Sequence, residues 1–170
     1  MQAHHYRIVY EVEETHWWYV GRRLIIESLV ERICSSIKSS TPRILDVGCG
    51  TGANLQMLAK HRNAEGVDVS QQAVAFCHHR GLDCVKLGAI EQLPYENESF
   101  DLVTALDVIE HLDDDVAGLG EIRRVLRPGG YVLVFVPAFM FLWGVQDDVS
   151  NHRRRYTLHG LLTALKEAGF

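Results

Sequence analysis

No two cysteines in this 170-residue sequence stand at the C-x-x-C spacing of a zinc or redox site; the four present are Cys34, Cys49, Cys77 and Cys84. A chain of this length can bury a core of its own and needs no disulfide frame. The thiols are read as reduced, and the protein as cytoplasmic. Basic charge is also scarce. Lys and Arg number 17 against 22 Asp and Glu, for a formal net charge of −5. A general nucleic-acid binder carries the opposite balance, so no nucleic-acid partner is expected. Residues 1–10 hold no apolar run of the kind a secretory signal requires. With only four prolines and no low-complexity tract, the chain has no evident linker.

One stretch without charge, Gly129 to Gln146, approaches the length of a membrane span. Gly129-Gly130 opens it, Pro137 interrupts it, and Tyr131–Val136 is rich in β-branched residues. A buried strand followed by an apolar loop fits better than a bilayer helix, and stable membrane insertion is not expected.

The composition is that of an ordinary globular protein, 47% hydrophobic and 23% charged. Residues 1–41 read as an N-terminal helical cap. Leu24, Ile25, Leu29 and Ile33 recur there at helical spacing, and Gly21 is expected to break the pattern. After Pro42 the rhythm changes. Short apolar runs at Arg43–Val47, Ala64–Val69, Asp83–Leu87, Asp101–Leu106 and Tyr131–Val136 alternate with helical stretches at Gly52–Lys60, Gln71–His79 and Asp115–Leu126. Such alternation implies an α/β fold, a doubly wound parallel sheet with helices on both faces, over residues 42–170. A last helix is expected over Thr157–Ala168, capped by Thr157 and ended by Gly169. The fifth strand would then be a long apolar edge. Two expectations follow: a longer form of the chain that continues the sheet, and a homodimer through that edge.

The sharpest local signal is Asp46-Val47-Gly48-Cys49-Gly50-Thr51-Gly52, which follows a strand and opens a helix. Glycines there permit a tight turn and close approach of a ligand to the backbone. Asp68 lies twenty residues after Gly48, at the end of the second strand, where a carboxylate can accept both hydroxyls of a ribose. A nucleoside-containing cofactor is the consequence. Gly48-x-Gly50-x-x-Ala53 also satisfies a dinucleotide pattern, so an NAD-dependent oxidoreductase stays open on spacing alone. Asp46 weighs against it, because a negative charge in the crevice repels a pyrophosphate and suits a sulfonium or an α-amino group.

Asp46–Gly52, Asp68, Phe100-Asp101-Leu102-Val103, Asp107-Val108-Ile109-Glu110-His111-Leu112 and Leu126-Arg127-Pro128-Gly129-Gly130 occur in this order. Together they resemble the class I S-adenosylmethionine-dependent methyltransferases, in particular the small-molecule type 11 branch, over roughly Arg43 to Pro137. Glu14–Arg23 and His152–Tyr156 resemble a bacterial subgroup of uncharacterised methyltransferases. The resemblance implies a Rossmann-like methyltransferase sheet in strand order 3-2-1-4-5, truncated before the last two of seven strands. It also implies S-adenosylmethionine as cofactor and a small, hydrophobic acceptor. Gly48, Gly50 and Gly52 would line the methionine and ribose, Asp46 would face the amino group directly or through water, and Asp68 would hold the ribose. Val69 would pack on the adenine, and Asp107 would lie near the transferring methyl. One position departs from the family pattern: Ala89 stands where an Asp often meets the adenine, so backbone at Ala89 or Ile90 must serve. That departure keeps a non-catalytic cofactor-binding module of the same fold as the alternative function.

Proton removal from an acceptor calls for a base, and His111 and His152 are the candidates. Glu110 and His111 can equally brace the next helix. Asp107, Glu110 and His111 are all metal-ligand types, but no metal is assigned. Asp147, Asp148 and His152–Tyr156 read either as a ligand-gripping cluster or as a solvated loop of ion pairs. Ala138–Trp143 reads as a substrate-pocket wall or as covered core. Trp17, Trp18 and Tyr19 could form a lid, with Arg22 on the cofactor carboxylate, or an aromatic helix cap packed on the sheet. His4, His5, His78 and His79 are expected on the surface.

Overall fold

The structure, a computed structural model, describes residues 3–60 and 63–170, and of residues 3–5 the backbone alone. The side chains of His4 and His5 thus lie outside the described residues. His78 and His79 are exposed, as expected.

The five strands are β1 (Arg43–Val47), β2 (Asn63–Asp68), β3 (Val85–Leu87), β4 (Phe100–Leu106) and β5 (Leu126–Phe135). They form one parallel sheet in the order β3-β2-β1-β4-β5. Every residue of the interior strand β4 is buried, Asp101 and Thr104 included. The third strand begins at Val85 rather than Asp83. The fifth begins earlier than its β-branched run: Leu126 pairs with Phe100, and Tyr131 then pairs with Leu102. The intervening Arg127–Gly130 is accommodated as an irregularity in the ladder.

The helices are α1 (Ala3–Val12), α2 (Trp17–Ser36), α3 (Ala53–Ala59), α4 (Gln71–His79), α5 (Asp115–Val125), α6 (Val145–Ser150) and α7 (Leu158–Glu167). Single 3-10 turns occupy Ile109–His111 and Met140–Leu142. On one face of the sheet Phe100, Leu119, Ile122 and Val125 pack with Leu45 and Val103, under α5 and α7. On the other, Ile26 and Val30 of α2 and Leu55 and Leu58 of α3 pack on Ile44 and Leu102. Each such fully buried side chain contributes about 1.5–3 kcal/mol.

Two expectations about α2 are corrected. Gly21 does not break it, because the site is open and a lone glycine costs an otherwise intact helix only about 1 kcal/mol. The buried face is carried by Ile26 and Val30, while Leu24 and Ile25 are 62% and 58% exposed. The α7 expectations hold: the Thr157 hydroxyl accepts from the Gly160 N–H, and Gly169 follows at φ +91°. Among the described residues no helix is long and apolar enough to cross a membrane.

Candidate active site

Strands β1, β2 and β4 end at Val47, Asp68 and Leu106. The turns that follow surround a cavity of about 370 Å³, at the carboxyl edge where open α/β sheets bind ligands. Gly48, Gly50, Asp68, Val69, Ala89, Ile90, Asp107 and His111 all line it. These positions are spread over 64 residues of sequence, and the topology brings them to one wall. Asp46, Gly52 and His152 are not on that wall.

The glycine loop is built for a close approach. At Gly48, φ is +65° and a Cβ would meet Val108 Cγ2 at 2.5 Å, so any side chain is excluded twice over. At Gly50, φ is +57° and the space beyond the Cα is open. The N–H groups of Gly48 and Cys49 both donate to the Val67 carbonyl, at 2.8 and 3.1 Å, and tie the loop to the end of β2. Gly52 instead serves packing, since its missing Cβ leaves room for Cys77 Sγ and Leu82 Cδ1, each 2.9 Å from where it would stand.

Asp68 is fixed by the same loop. Its Oδ2 accepts from the Gly50 N–H at 2.9 Å and its Oδ1 from the Ser70 N–H at 2.8 Å. Each oxygen keeps a second lone pair for a ligand. Burial raises the carboxyl above its ordinary value, and the two backbone hydrogen bonds oppose the rise.

Asp46 lies behind the cavity wall rather than on it. It is 2% exposed beneath the loop, and the Thr104 hydroxyl donates to its Oδ1 at 2.7 Å. The contact is dictated by register, because Asp46 and Thr104 are direct neighbours across β1 and β4. Oδ2 has no partner, and desolvation pushes the carboxyl up to about 7. Burial thus favours the protonated form of Asp46, and the argument from a full negative charge is weaker than the sequence suggests.

The N-terminal helices reach the cavity by an unexpected route. Tyr6 of α1 forms part of the wall, with no motif to mark it. Arg22 Nη1 lies 2.5 Å from Asp107 Oδ2, and its guanidinium sits over the Phe135 ring at 4.4 Å. Arg22 Nε and Nη2 are buried without partners. Glu13, Thr51 and Arg80 clip the α1–α2 turn onto the glycine loop. Thr51 donates to Glu13, Arg80 Nη2 lies 2.6 Å from Glu13, and Arg80 Nε donates to the Thr51 carbonyl at 2.8 Å. Trp17 and Trp18, 75% and 51% exposed, neither cover the cavity nor pack on the sheet. Phe139, Met140, Phe141 and Leu142 are likewise exposed, and neither line the cavity nor join the core.

The segment Asp147–Tyr156 is a network of ion pairs around the buried Asp147, Ser150 and Tyr156, while Asp148, Val149, Asn151 and Arg153 stay exposed. Asp147 is fully buried and accepts from Arg155 Nε and Nη2, each at 2.8 Å, and from the Gly144 N–H at 2.8 Å. Arg155 holds its carboxyl well below the usual carboxylate range. Arg154 Nη1 donates to Asp115 Oδ1 at 2.7 Å, and the Tyr156 hydroxyl to Asp115 Oδ2 at 2.6 Å. Only Asn151 and Arg153 of this segment reach the cavity wall. His152 stands behind His111, ring to ring at 4.8 Å, with its Nδ1 2.8 Å from Asp147 Oδ1. Burial lowers His111 below its ordinary value, so its neutral form prevails at neutral pH.

The sequence profile of the family described as "Methyltransferase domain" matches residues 45–134. A probable S-adenosylmethionine-dependent methyltransferase of Mycolicibacterium smegmatis is 30% identical over 169 residues, which is 96% of this chain and 63% of that protein. A phthiotriol/phenolphthiotriol dimycocerosates methyltransferase of Mycobacterium ulcerans is 34% identical over 113 residues, 62% of this chain and 41% of that one. This chain thus spans less than two thirds of the length of these relatives. Among solved structures, a possible histamine N-methyltransferase of Thermotoga maritima superposes with a TM-score of 0.69 at 28% identity, covering 97% of this chain and 79% of that one. The [4+2]-cyclase SpnF superposes with a TM-score of 0.67 at 28% identity, covering 84% and 56%. The dinucleotide reading that the glycine spacing alone allows has no support among these matches. On the match over residues 45–134, together with the strand order and the cavity, the chain belongs to the class I S-adenosylmethionine-dependent methyltransferase family.

Proposed function

We propose that this protein binds S-adenosylmethionine in the cavity at the carboxyl edge and transfers its methyl group to a small, apolar acceptor. The observation that carries the reading is the fixed Asp68 carboxylate facing the same cavity as the open Gly50 position. The residues present suit the cofactor. Asp68 has lone pairs left for two ribose hydroxyls, Val69 offers an apolar surface for a purine, and Ala89 and Ile90 supply the backbone opposite it. Arg22, which does not itself line the cavity, holds the Asp107 carboxylate at its wall.

The bound cofactor supplies an activated methyl on a sulfonium, so the protein's task is mainly positioning and water exclusion. Asp107, at φ +57° and held by Arg22, presents its carboxylate at the end of β4. The family relatives named for phthiotriol dimycocerosates, which are lipid-like, support an apolar acceptor. A second reading keeps the cofactor site without methyl transfer, and the [4+2]-cyclase on the same fold favours it, since a fold does not dictate a chemistry.

Incubation with methyl-labelled S-adenosylmethionine and a panel of hydroxylated lipid-like acceptors separates the two. Label in an acceptor, reduced at least about tenfold by Asp68→Ala, is the expected result. A protein that binds the cofactor but leaves the label in it across the panel contradicts methyl transfer and favours the second reading.

A further inference from the structure

Glu110 is the most anomalous side chain of the molecule. It is fully buried, and neither carboxylate oxygen has a hydrogen-bond partner. A buried carboxylate in that state is costly unless something compensates it. Two imidazoles stand beside it. His152 Nε2 is 4.0 Å from Glu110 Oε1, and one donor atom from each of Glu110, His111 and His152 lies within 4.8 Å of the other two.

The structure assigns Glu110, His111 and His152 as a binding site for a divalent transition-metal ion. Three features converge on that chemistry. Two imidazoles with one carboxylate form a ligand set that suits zinc, cobalt and iron. Asp147 accepts from His152 Nδ1 at 2.8 Å, which fixes the tautomer that leaves the Nε2 lone pair toward Glu110. This is the carboxylate–histidine–metal arrangement that orients a ligand from behind. Asp147 is itself locked by both Arg155 contacts and the Gly144 N–H, so it is an anchored support rather than a mobile counter-charge. His111 is steadied from another side, its Nδ1 lying 3.4 Å from the Asn151 carbonyl.

Ligand atoms around a tetrahedral ion stand about 3.4 Å apart for bonds of about 2.1 Å, so binding draws the cluster in by roughly 1 Å. Adjacent backbone joins Glu110 to His111 in one 3-10 turn, and the contraction falls on side-chain rotation. His111 also lines the cavity, so an ion held here would sit at its wall. An ion there would take an acceptor oxygen and promote loss of its proton. That consequence rests on the methyl-transfer reading; the metal site itself does not. Ligation also engages both imidazoles, so it replaces a free histidine base.

Titration of the whole chain with cobalt(II), followed by visible absorption and calorimetry, tests the site. One equivalent with the intense bands of a low-coordinate cobalt centre is expected. Glu110→Gln and His152→Gln should each weaken binding at least about 100-fold, and Asp147→Asn about 10–100-fold through the imidazole it holds. His78→Ala with His79→Ala controls for the exposed histidines and should change nothing. Circular dichroism certifies the fold of each variant, and loss of binding in Glu110→Gln with an unchanged spectrum supports the assignment. Absence of stoichiometric binding, or binding that survives Glu110→Gln and His152→Gln, overturns it. S-adenosylhomocysteine affinity measured alongside keeps a failure of the cofactor site distinguishable from a failure of the metal site.

Discussion

Asp46 illustrates how burial resets a single carboxyl. In the unfolded chain it titrates near its ordinary 3.8, and in the fold it is pushed up to about 7. Below the lower value both states are protonated, and burial of the group carries no charge penalty. As pH rises from the lower value toward the upper, the unfolded state ionises while the folded state keeps its proton, and stability falls until the folded group ionises as well. Denaturant unfolding of the ligand-free protein should therefore show Asp46→Asn gaining on the parent by about 2–4 kcal/mol between pH 4 and pH 8. A difference independent of pH would contradict the assignment. Nothing in the sequence reveals this shift, because it comes chiefly from burial, with the Thr104 hydroxyl across β4 opposing it and Asp68 adding to it. The place of Asp68 on the cavity wall was legible, since its position at the end of β2 follows from local pattern alone.

At the scale of elements, strands were easier to read than helix faces. Each strand is short and alternates with a helical stretch, which implies parallel pairing, while the strand order was implied by the family resemblance. In α2 the apolar residues are spread around the helix, so spacing did not single out Ile26 and Val30 over Leu24 and Ile25. The clip between the helical turn and the glycine loop was equally hidden, because Glu13 and Arg80 are 67 residues apart. Arg80→Ala would strand the buried Glu13 carboxylate, with a cost on the order of 3 kcal/mol. Limited proteolysis should then cut at the α1–α2 turn well before the sheet, and equal resistance to the parent would show that the clip carries no such role.

Across the whole molecule, the sheet presents β5 as an edge with Tyr131 39% exposed and the Phe139–Leu142 turn exposed beyond it. Unpaired edges of this kind invite pairing with another chain. Light scattering of this 170-residue chain should show a dimer or larger species, reduced by Val134→Lys on β5; a monomer at millimolar concentration would contradict the edge argument. The histidine cluster is also a property of the whole. Glu110 and His152 belong to separate motifs, and only the fold of Asp147–Tyr156 back against the end of β4 places them together.

The most direct measurement of the central claim is calorimetric titration with S-adenosylhomocysteine, with NAD as control. The account predicts micromolar affinity for the first alone, weakened by about 1–3 kcal/mol in Asp68→Ala. Equal affinity for NAD, or an unchanged affinity in a folded Asp68→Ala variant, would contradict it.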